Sequence, residues 1–318
     1  MKYIYLAVMA ITLSYGCHRK LNANGANKNT NNANKKTNDA NVAANGSAAY
    51  LDTRGNPMLL GIHPAEDLQQ APYGDWFNKN YADYKIDSST AGQLAPLLKD
   101  KTFELFMGTW CGDSKREIPR MLKILHYAGV QPSQIKLVMV DIHDSTYKQS
   151  PGHEEKGKDI FRVPDLLVYS HDREVSRIVE HPVVSLENDL LLIARGEGYT
   201  PSYPGAAYLL RLLKEKTAAA LMADKENTLA LLKATVKSEG DLNSLGYVWM
   251  SAPGEADKAI LALQLNAELY PTSPNVYDSL GDLYRRLNRK EEARSYYRKV
   301  LELQPGNASS AKKLAALD

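Results

Sequence analysis

Phe103-Glu-Leu-Phe-Met-Gly-Thr-Trp-Cys-Gly-Asp-Ser-Lys-Arg-Glu-Ile-Pro119 is the stretch that decides the fold of the N-terminal half of this chain. Its apolar run from Phe103 to Met107 predicts a buried strand. The segment after Cys111 predicts a helix, because apolar residues recur there at helical spacing (Ile118, Met121, Leu122 and Leu125). A cysteine between a strand end and a helix start faces free backbone N–H groups and the positive end of the helix dipole. Such a position favours the thiolate, which is the nucleophilic form of cysteine.

The motif around this cysteine resembles that of the thioredoxin family. Trp110-Cys111-Gly112-Asp113-Ser114-Lys115 is similar to Trp-Cys-Gly-Pro-Cys-Lys, with Pro-Cys replaced by Asp-Ser. Pro119 stands where thioredoxins carry a proline that kinks this helix, and Val163-Pro164-Asp165 resembles the Val-Pro-Thr that places a cis-proline opposite the cysteine. The resemblance covers roughly residues 81–213. It implies an α/β thioredoxin-like domain, in which a central mixed sheet has flanking helices.

Three departures from the family pattern limit the chemistry. Ser114 replaces the second cysteine, so no disulfide can form within the motif. Leu105 stands where thioredoxins carry a buried acid, and strand alternation directs the neighbouring Glu104 to the other face of the sheet. Asp165 replaces the usual threonine. The motif therefore excludes a dithiol oxidoreductase and leaves a monothiol protein.

The composition of the chain excludes several other classes. Its 318 residues have room for about two domains. A net charge of +2 indicates neither nucleic acid nor a membrane-surface patch as a partner. Two cysteines, Cys17 and Cys111, cannot form a disulfide framework. We expect no cofactor, and no metal site, because His143, His153 and the adjacent glutamates match no zinc-binding spacing.

The first 49 residues predict export and tethering. Residues 1–17 combine Lys2 with an apolar run too short to span a bilayer, and they resemble a bacterial lipoprotein signal in which Cys17 is lipidated. The resemblance implies an extracytoplasmic protein anchored on the periplasmic side of the cell envelope. Ordinary secretory cleavage with an incidental Cys17 is the alternative. Residues 18–49 are rich in asparagine and are predicted to be a disordered tether.

Residues 50–215 are assigned to the thioredoxin-like domain. An aromatic lead-in near the start of this domain has near-helical spacing, and it consists of Tyr73, Trp76, Phe77, Tyr81 and Tyr84. This spacing predicts either a recognition surface or, preferably, a helix packed on the core. Buried strands are expected at 135–142 and in a hairpin of 166–169 with 174–179, and helices at 91–98 and 186–194. The alternation of strands and helices is typical of an α/β domain.

Residues 222–318 predict a second, all-α domain. Pro271 and Pro305 lie 34 residues apart, as do Ala259 and Ala293. That period is typical of tetratricopeptide repeats, here at about 240–273 and 274–307. Small residues such as Gly281 and Ala293 let paired helices approach closely. Because two repeats are fewer than the ~3 normally needed for a stable stack, we expect flanking helices at about 225–237 and 308–317.

Two functional hypotheses follow. In the first, an exported monothiol protein acts on disulfides or thiols of extracytoplasmic proteins, and an external thiol resolves the mixed disulfide at Cys111. In this hypothesis Ser114 or backbone N–H groups stabilise the thiolate, and the surrounding residues contact the substrate. The predicted catalytic residues are Cys111, Ser114 and Trp110. The predicted substrate-binding residues are Gly112, Asp113, Val163 and Pro164.

In the second hypothesis, the chain is a redox-inactive binding module that holds a partner protein at the envelope through its groove and its repeats, and Cys111 is idle. A peroxide-reducing thiol is a weaker third alternative, because the Thr-x-x-Cys arrangement is missing. The exposure and acidity of Cys111 discriminate the first two. For the repeats, a scaffold role needs an exposed concave surface, whereas a capping role buries that surface against the first domain.

Overall fold

The structure is a computed structural model that describes residues 50–317. The predicted signal, the lipidation site at Cys17 and the asparagine-rich tether lie outside the described residues, so these remain predictions. Within residues 50–317, no helix combines the length and the apolar character needed to cross a bilayer.

The N-terminal half is built on a mixed sheet. The strands of the described part are, in chain order, β1 (Tyr50–Leu51), β2 (Pro57–Met58), β3 (Gly61–Ile62), β4 (Lys101–Met107), β5 (Ile135–Met139), β6 (Asp165–Ser170) and β7 (Arg173–Val179). The main sheet has the order β3-β5-β4-β6-β7. Its central strand β4 is parallel to β5 and antiparallel to β6. The predicted strand at 103–107 is therefore the middle of the sheet, and the predicted hairpin is β6–β7.

Helices flank this sheet and continue into a helical C-terminal half. They are α1 (Gly74–Asp83), α2 (Ser88–Ala91), α3 (Ala95–Leu98), α4 (Gly112–Tyr127), α5 (Leu186–Arg195), α6 (Pro204–Glu215), α7 (Ala218–Ala223), α8 (Lys225–Lys233), α9 (Glu239–Ser251), α10 (Ala256–Leu269), α11 (Pro274–Arg286), α12 (Lys290–Leu303) and α13 (Ala308–Ala315). Short 3-10 turns occur at 65–69, 132–134 and 144–146.

Strand alternation gives the sheet two different faces. Leu105 points into the large core beneath α1, α4 and α5, whereas its neighbour Phe106 belongs to a smaller core on the opposite face. Glu104 also lies on that opposite face, as predicted, where it accepts a hydrogen bond from the Tyr169 hydroxyl at 3.0 Å. The aromatic lead-in forms α1, and its Phe77 is buried in the large core, as expected for a packed helix.

Two predicted elements are shorter than expected. In place of a helix over the whole predicted range 91–98, α2 ends at Ala91 before Gly92, and the single turn α3 begins at Ala95 with Pro96 in its opening turn. The strand predicted at 135–142 ends at Met139. Beyond it the Asp141 carboxylate accepts hydrogen bonds from the backbone of the next two residues and turns the chain.

The helices of the C-terminal half share one core, in which α9 packs on α10 and α11 packs on α12. The predicted close approach at Gly281 is confirmed, because a Cβ built there would lie 2.3 Å from the ring of Tyr297. The same holds at Gly246, where it would lie 2.4 Å from Leu263. The flanking helices that were expected are α8 and α13. Phe161 and Val179 from the α/β half also enter this helical core, so the two halves pack together within one compact body.

Candidate functional site

The thiol of Cys111 lies at the start of α4. Cys111 is the N-cap residue, with an extended backbone (φ −87°, ψ 127°), and its carbonyl accepts the first helical hydrogen bond from Lys115 at 3.0 Å. The side chain is neither buried nor fully exposed. Its Sγ donates a hydrogen bond to the Val163 carbonyl oxygen at 3.3 Å. The sulfur therefore meets both a helix N-terminus, which favours an anion, and a carbonyl oxygen that accepts the hydrogen bond of its S–H group.

The residues beside Cys111 are held by the end of β4. The buried Ser114 hydroxyl accepts a hydrogen bond from the Gly108 backbone N–H at 3.2 Å. The indole N–H of Trp110 donates to the Val140 carbonyl at 2.8 Å. The indole also packs onto Gly108 so closely that a Cβ there would lie 2.3 Å from the ring. Gly108 must therefore be a glycine, and the turn that carries the thiol is fixed on both sides.

The segment opposite the thiol contains a cis peptide bond between Val163 and Pro164. Both side chains are buried, and Val163 packs in the smaller core beneath the sheet. Of these two residues, Val163 is the one that bonds the thiol, through its backbone carbonyl oxygen. Gly112 is exposed with open space around it, and Asp113 forms an ion pair with Arg116 at 2.7 Å. Sequence analysis thus identified residues that do lie around one thiol, while their roles stay predictions.

A loop that the sequence did not single out forms another wall of the site. It runs from Asp141 to Gln149, and the backbones of these two residues are joined by a 2.9 Å hydrogen bond. The Asp141 carboxylate accepts a further bond from Thr146 Oγ1 at 2.6 Å. Burial raises the pKa of Asp141, but its hydrogen bonds lower it more, so the net pKa is below the ordinary value. The loop is thus organised around an ionised carboxylate.

This loop places Tyr147 beside Trp110 and Lys148 against Tyr147. The Tyr147 ring lies 6.5 Å from the Trp110 ring, centroid to centroid. Lys148 is only 6% exposed, and its ammonium lies 3.7 Å from the centroid of the Tyr147 ring and bonds to the Tyr147 hydroxyl. Burial is the largest cause that lowers the pKa of Lys148, the positive charge of Arg162 lowers it too, the Cys111 and Glu180 charges oppose both, and the net pKa is about 7.

Arg162 and Glu180 form the charged boundary of the site. They are joined by hydrogen bonds of 2.9 and 3.2 Å, and Tyr203 donates its hydroxyl to the same Glu180 carboxylate. The Arg162 guanidinium lies 4.3 Å from the centre of the Tyr203 ring. It also donates to the Gly240 carbonyl in α9 at 3.3 Å. This arginine therefore connects the site with the helical half.

A cleft of about 340 Å³ lies where the loop meets the helical half. Tyr147 is part of its wall, so the cleft adjoins the site. The Tyr147 carbonyl accepts from Ser251 at 3.3 Å, and Gln149 donates to the Ser251 carbonyl at 3.0 Å. One part of the repeat surface is therefore covered by the loop, and the cleft beside it stays open. Its other lining residues are Ile142, Asp144, Tyr247, Met250, Asp282, Arg285 and Arg286.

Sequence reasoning missed Tyr147, Lys148, Arg162 and Glu180. No motif marks them, because all four lie in or beside polar loops and reach the site only through tertiary contacts. His143 instead bonds Asp141 at 2.7 Å, and His153 bonds Glu155 at 3.2 Å. Across residues 50–317, no group of three or more metal-ligating side chains is arranged to hold an ion.

Comparison with known proteins bears on the helical half. The family model of the tetratricopeptide repeat matches residues 274–307, which span α11 and α12. The predicted second repeat has these same bounds. A search of curated proteins returned no match to the chain. The match covers one repeat, so it shows a helical hairpin of this kind and leaves the chemistry of the α/β half open.

Proposed function

We propose that this protein is an exported, thioredoxin-like monothiol protein that acts on disulfides or thiols of extracytoplasmic proteins through Cys111. The observation that carries the proposal is a partly exposed thiol at the N-cap of α4, hydrogen-bonded to the carbonyl before a cis-proline. The mixed sheet with flanking helices is consistent with a thioredoxin-like domain. Export rests on the resemblance of residues 1–17 to a lipoprotein signal.

The proposed reaction is thiol–disulfide exchange. The Cys111 thiolate attacks one sulfur of a substrate disulfide, a new S–S bond forms to Cys111, and the second substrate sulfur leaves as a thiolate. A low-molecular-weight or protein thiol then attacks the Cys111 sulfur of the mixed disulfide and releases the reduced substrate, and a second such thiol attacks the new disulfide, releases Cys111 and leaves the two thiols joined by an S–S bond. Two electrons pass to the substrate disulfide overall, and the attacking thiols are oxidised. Ser114 cannot resolve the intermediate, because resolution requires a thiolate that forms a new S–S bond, and the Ser114 hydroxyl instead accepts a hydrogen bond from the Gly108 N–H.

The helical half supplies a place for a protein partner. A tetratricopeptide hairpin fits protein binding, and the cleft beside Tyr147 offers tyrosine, methionine and isoleucine side chains together with two arginines. Because Tyr147 belongs to both the cleft and the surroundings of Trp110, a chain held in the cleft would lie near the thiol. We propose that this cleft favours protein substrates over small disulfides.

The test is the rate of Cys111 alkylation against pH, measured on the protein without its signal, with Cys111→Ser as the blank. A midpoint well below the ~8.5 of an ordinary cysteine supports the proposal, and mixed-disulfide partners should then be trapped on the protein. A midpoint at or above that value, or labelling only after unfolding, would contradict it.

The second candidate is a redox-inactive binding module. It is favoured by one specific observation, namely that a serine occupies the buried position of the missing second thiol. In that case a Cys111→Ser variant should retain every partner that the parent protein captures. Loss of all partners in this variant would exclude the binding-module function.

A further inference from the structure

The loop from Asp141 to Gln149 occupies part of a surface on which the helical half could otherwise hold a partner. One side of the cleft beside the loop is lined by α9 and α11, and each of these helices packs on the helix that follows it. Stacked helical repeats use surfaces of this kind to bind other molecules. The opposite side of the cleft is the loop itself, through Ile142, Asp144 and Tyr147. The chain therefore holds one of its own segments against its helical half.

The helices hold this loop mainly by its backbone. The Arg286 guanidinium of α11 donates to the Asp144 carbonyl, and the Ser251 hydroxyl of α9 donates to the Tyr147 carbonyl at 3.3 Å. In the reverse direction, the Gln149 side chain donates to the Ser251 carbonyl at 3.0 Å. When a groove holds a peptide, bonds to the backbone give affinity and contacts with single side chains give specificity. The helices therefore hold the loop as a groove holds a peptide.

The Tyr147 side chain connects this contact with the surroundings of the thiol. Its ring lies 6.5 Å from the Trp110 ring, centroid to centroid, and it also lines the cleft together with Tyr247 and Met250. Trp110 directly precedes Cys111, and both pack against the smaller core. Departure of the loop would therefore remove an aromatic ring from beside Trp110 and extend the cleft toward it.

The loop is built so that it can leave the helices without losing its own shape. Its two ends are joined by a 2.9 Å hydrogen bond from the Asp141 N–H to the Gln149 carbonyl. The Asp141 carboxylate accepts further bonds from the His143 N–H and the Thr146 hydroxyl, so residues of the loop itself make its internal turn. Compact loops of this kind, whose ends lie close together, are frequently functional. Because the Lys148 amine is buried here and regains water on opening, part of the cost of leaving is offset.

The charges at the cleft indicate what kind of segment can replace the loop. Asp282, the acid of the helical wall, pairs with Lys313 at 2.8 Å and with Arg285 only at 4.0 Å. The exposed Arg285 and Arg286 of α11 therefore leave positive charge at the cleft. The loop meets these arginines with the acidic Asp144, three residues before its tyrosine. A segment that carries an acidic residue shortly before an aromatic one matches the same surface.

We propose that the loop from Asp141 to Gln149 is an internal competitor on this surface, and that an extended partner segment with an acidic and an aromatic residue binds the helices by displacing it. The consequence for the thiol rests on the proposed function, because an opening beside Trp110 is useful only if Cys111 reacts with the bound partner. The displacement itself does not depend on that chemistry. Recognition by the helices and access to the site are thereby coupled.

The test uses a fluorescein-labelled peptide with the sequence of residues 141–147, which contains no lysine. Its affinity is measured by fluorescence anisotropy for the protein without its signal, for Tyr147→Ala and for the control Ser145→Ala, which changes an exposed side chain of the same loop. A peptide with alanine in place of the tyrosine is the ligand control. Opening of the loop is measured as the rate of Lys148 acylation by mass spectrometry, with the exposed Lys156 as internal standard.

We expect Tyr147→Ala to bind the peptide about tenfold more tightly than the parent, because a loop that leaves the surface free for about 10% of the time reduces the apparent affinity by that factor. Ser145→Ala should bind like the parent, and the alanine peptide should bind about tenfold more weakly to both. A saturating amount of the peptide should speed acylation of Lys148 in the parent about tenfold and leave Lys156 unchanged.

Three results would overturn the displacement. They are peptide binding that leaves Lys148 acylation unchanged, equal affinity of the parent and Tyr147→Ala, and no binding to either protein. If circular dichroism shows that Tyr147→Ala does not fold, the acylation of Lys148 in the parent decides alone. Failure of the proposed function has a different signature: the peptide opens the loop, while Cys111 stays unreactive toward alkylation in the folded protein.

Discussion

Removing the hydroxyl of Ser114 should destabilise the protein measurably. Ser114 is fully buried in the first turn of α4, and its Oγ accepts the hydrogen bond of the Gly108 N–H at 3.2 Å. No other acceptor is recorded for this N–H, since β4 ends one residue earlier. Alanine removes one oxygen and creates little space, so the lost packing is small. The cost is that of an unpaired buried donor, about 1–3 kcal/mol.

The assay is urea denaturation of the parent protein, Ser114→Ala and the control Ser145→Ala, which lies exposed in the loop after β5. The midpoint should fall for Ser114→Ala with an unchanged slope, which separates lower stability from a change in the unfolded state. Ser145→Ala should stay within about 0.5 kcal/mol of the parent. Equal midpoints for the two variants would refute the assigned role of Ser114 in fixing the turn that carries the thiol.

Two further predictions concern the loop and the repeat. Asp141→Asn should lower the free energy of unfolding at pH 7 by about 1.5–3 kcal/mol, with Asp144→Asn as an exposed control. The folded pKa of Asp141 is lowered, so its contribution is fully present above the unfolded value of 3.8 and is lost as the pH falls below that value through the lowered folded pKa. The stability difference between the two proteins should therefore shrink in denaturation curves measured at successively lower pH below 3.8; a difference that does not change with pH would contradict the reasoning. Gly281→Ala should cost about 1–2 kcal/mol, because crowding against Tyr297 exceeds the roughly 1 kcal/mol gain in helix propensity. Gly306→Ala, which meets open space, should unfold like the parent, and equal stability of both glycine variants would contradict the close packing of α11 and α12.

Local patterns in the sequence were sufficient for much of the fold. Apart from Glu104, the run from Phe103 to Met107 is apolar on both faces of β4, which is typical of a central strand. The hairpin β6–β7 follows from two β-rich runs around His171-Asp172, both of which adopt the positive φ that a tight turn requires. The repeat period followed from Ala259, Ala293 and two prolines. In each case the signal lies within about 35 residues.

The rest of the site depends on contacts that local patterns do not record. Lys148 is buried because the loop that carries it packs on α9, about a hundred residues later in the chain. Arg162 comes shortly before β6 and Glu180 directly after β7. Their side chains meet only because β6 and β7 pair as a hairpin and bring the two chain ends together. A lysine or an arginine in a polar run is ordinarily solvated. The polar composition of the loop from Asp141 to Gln149 therefore predicts exposure to solvent. Only its tertiary contacts make it a wall of the site.

The two hydrogen bonds of the segment before Pro164 have a mechanical consequence. Arg162 holds α9 through the Gly240 carbonyl, and the next residue, Val163, holds the thiol. The two residues are adjacent in the chain, so a displacement of the Arg162 backbone would be passed to Val163 and its carbonyl. A protein that displaced α9 on binding the helical half would thus also loosen the acceptor that restrains the sulfur. By thermodynamic linkage the effect runs both ways, since modification of Cys111 would alter the affinity of the helical half for such a partner by the same factor.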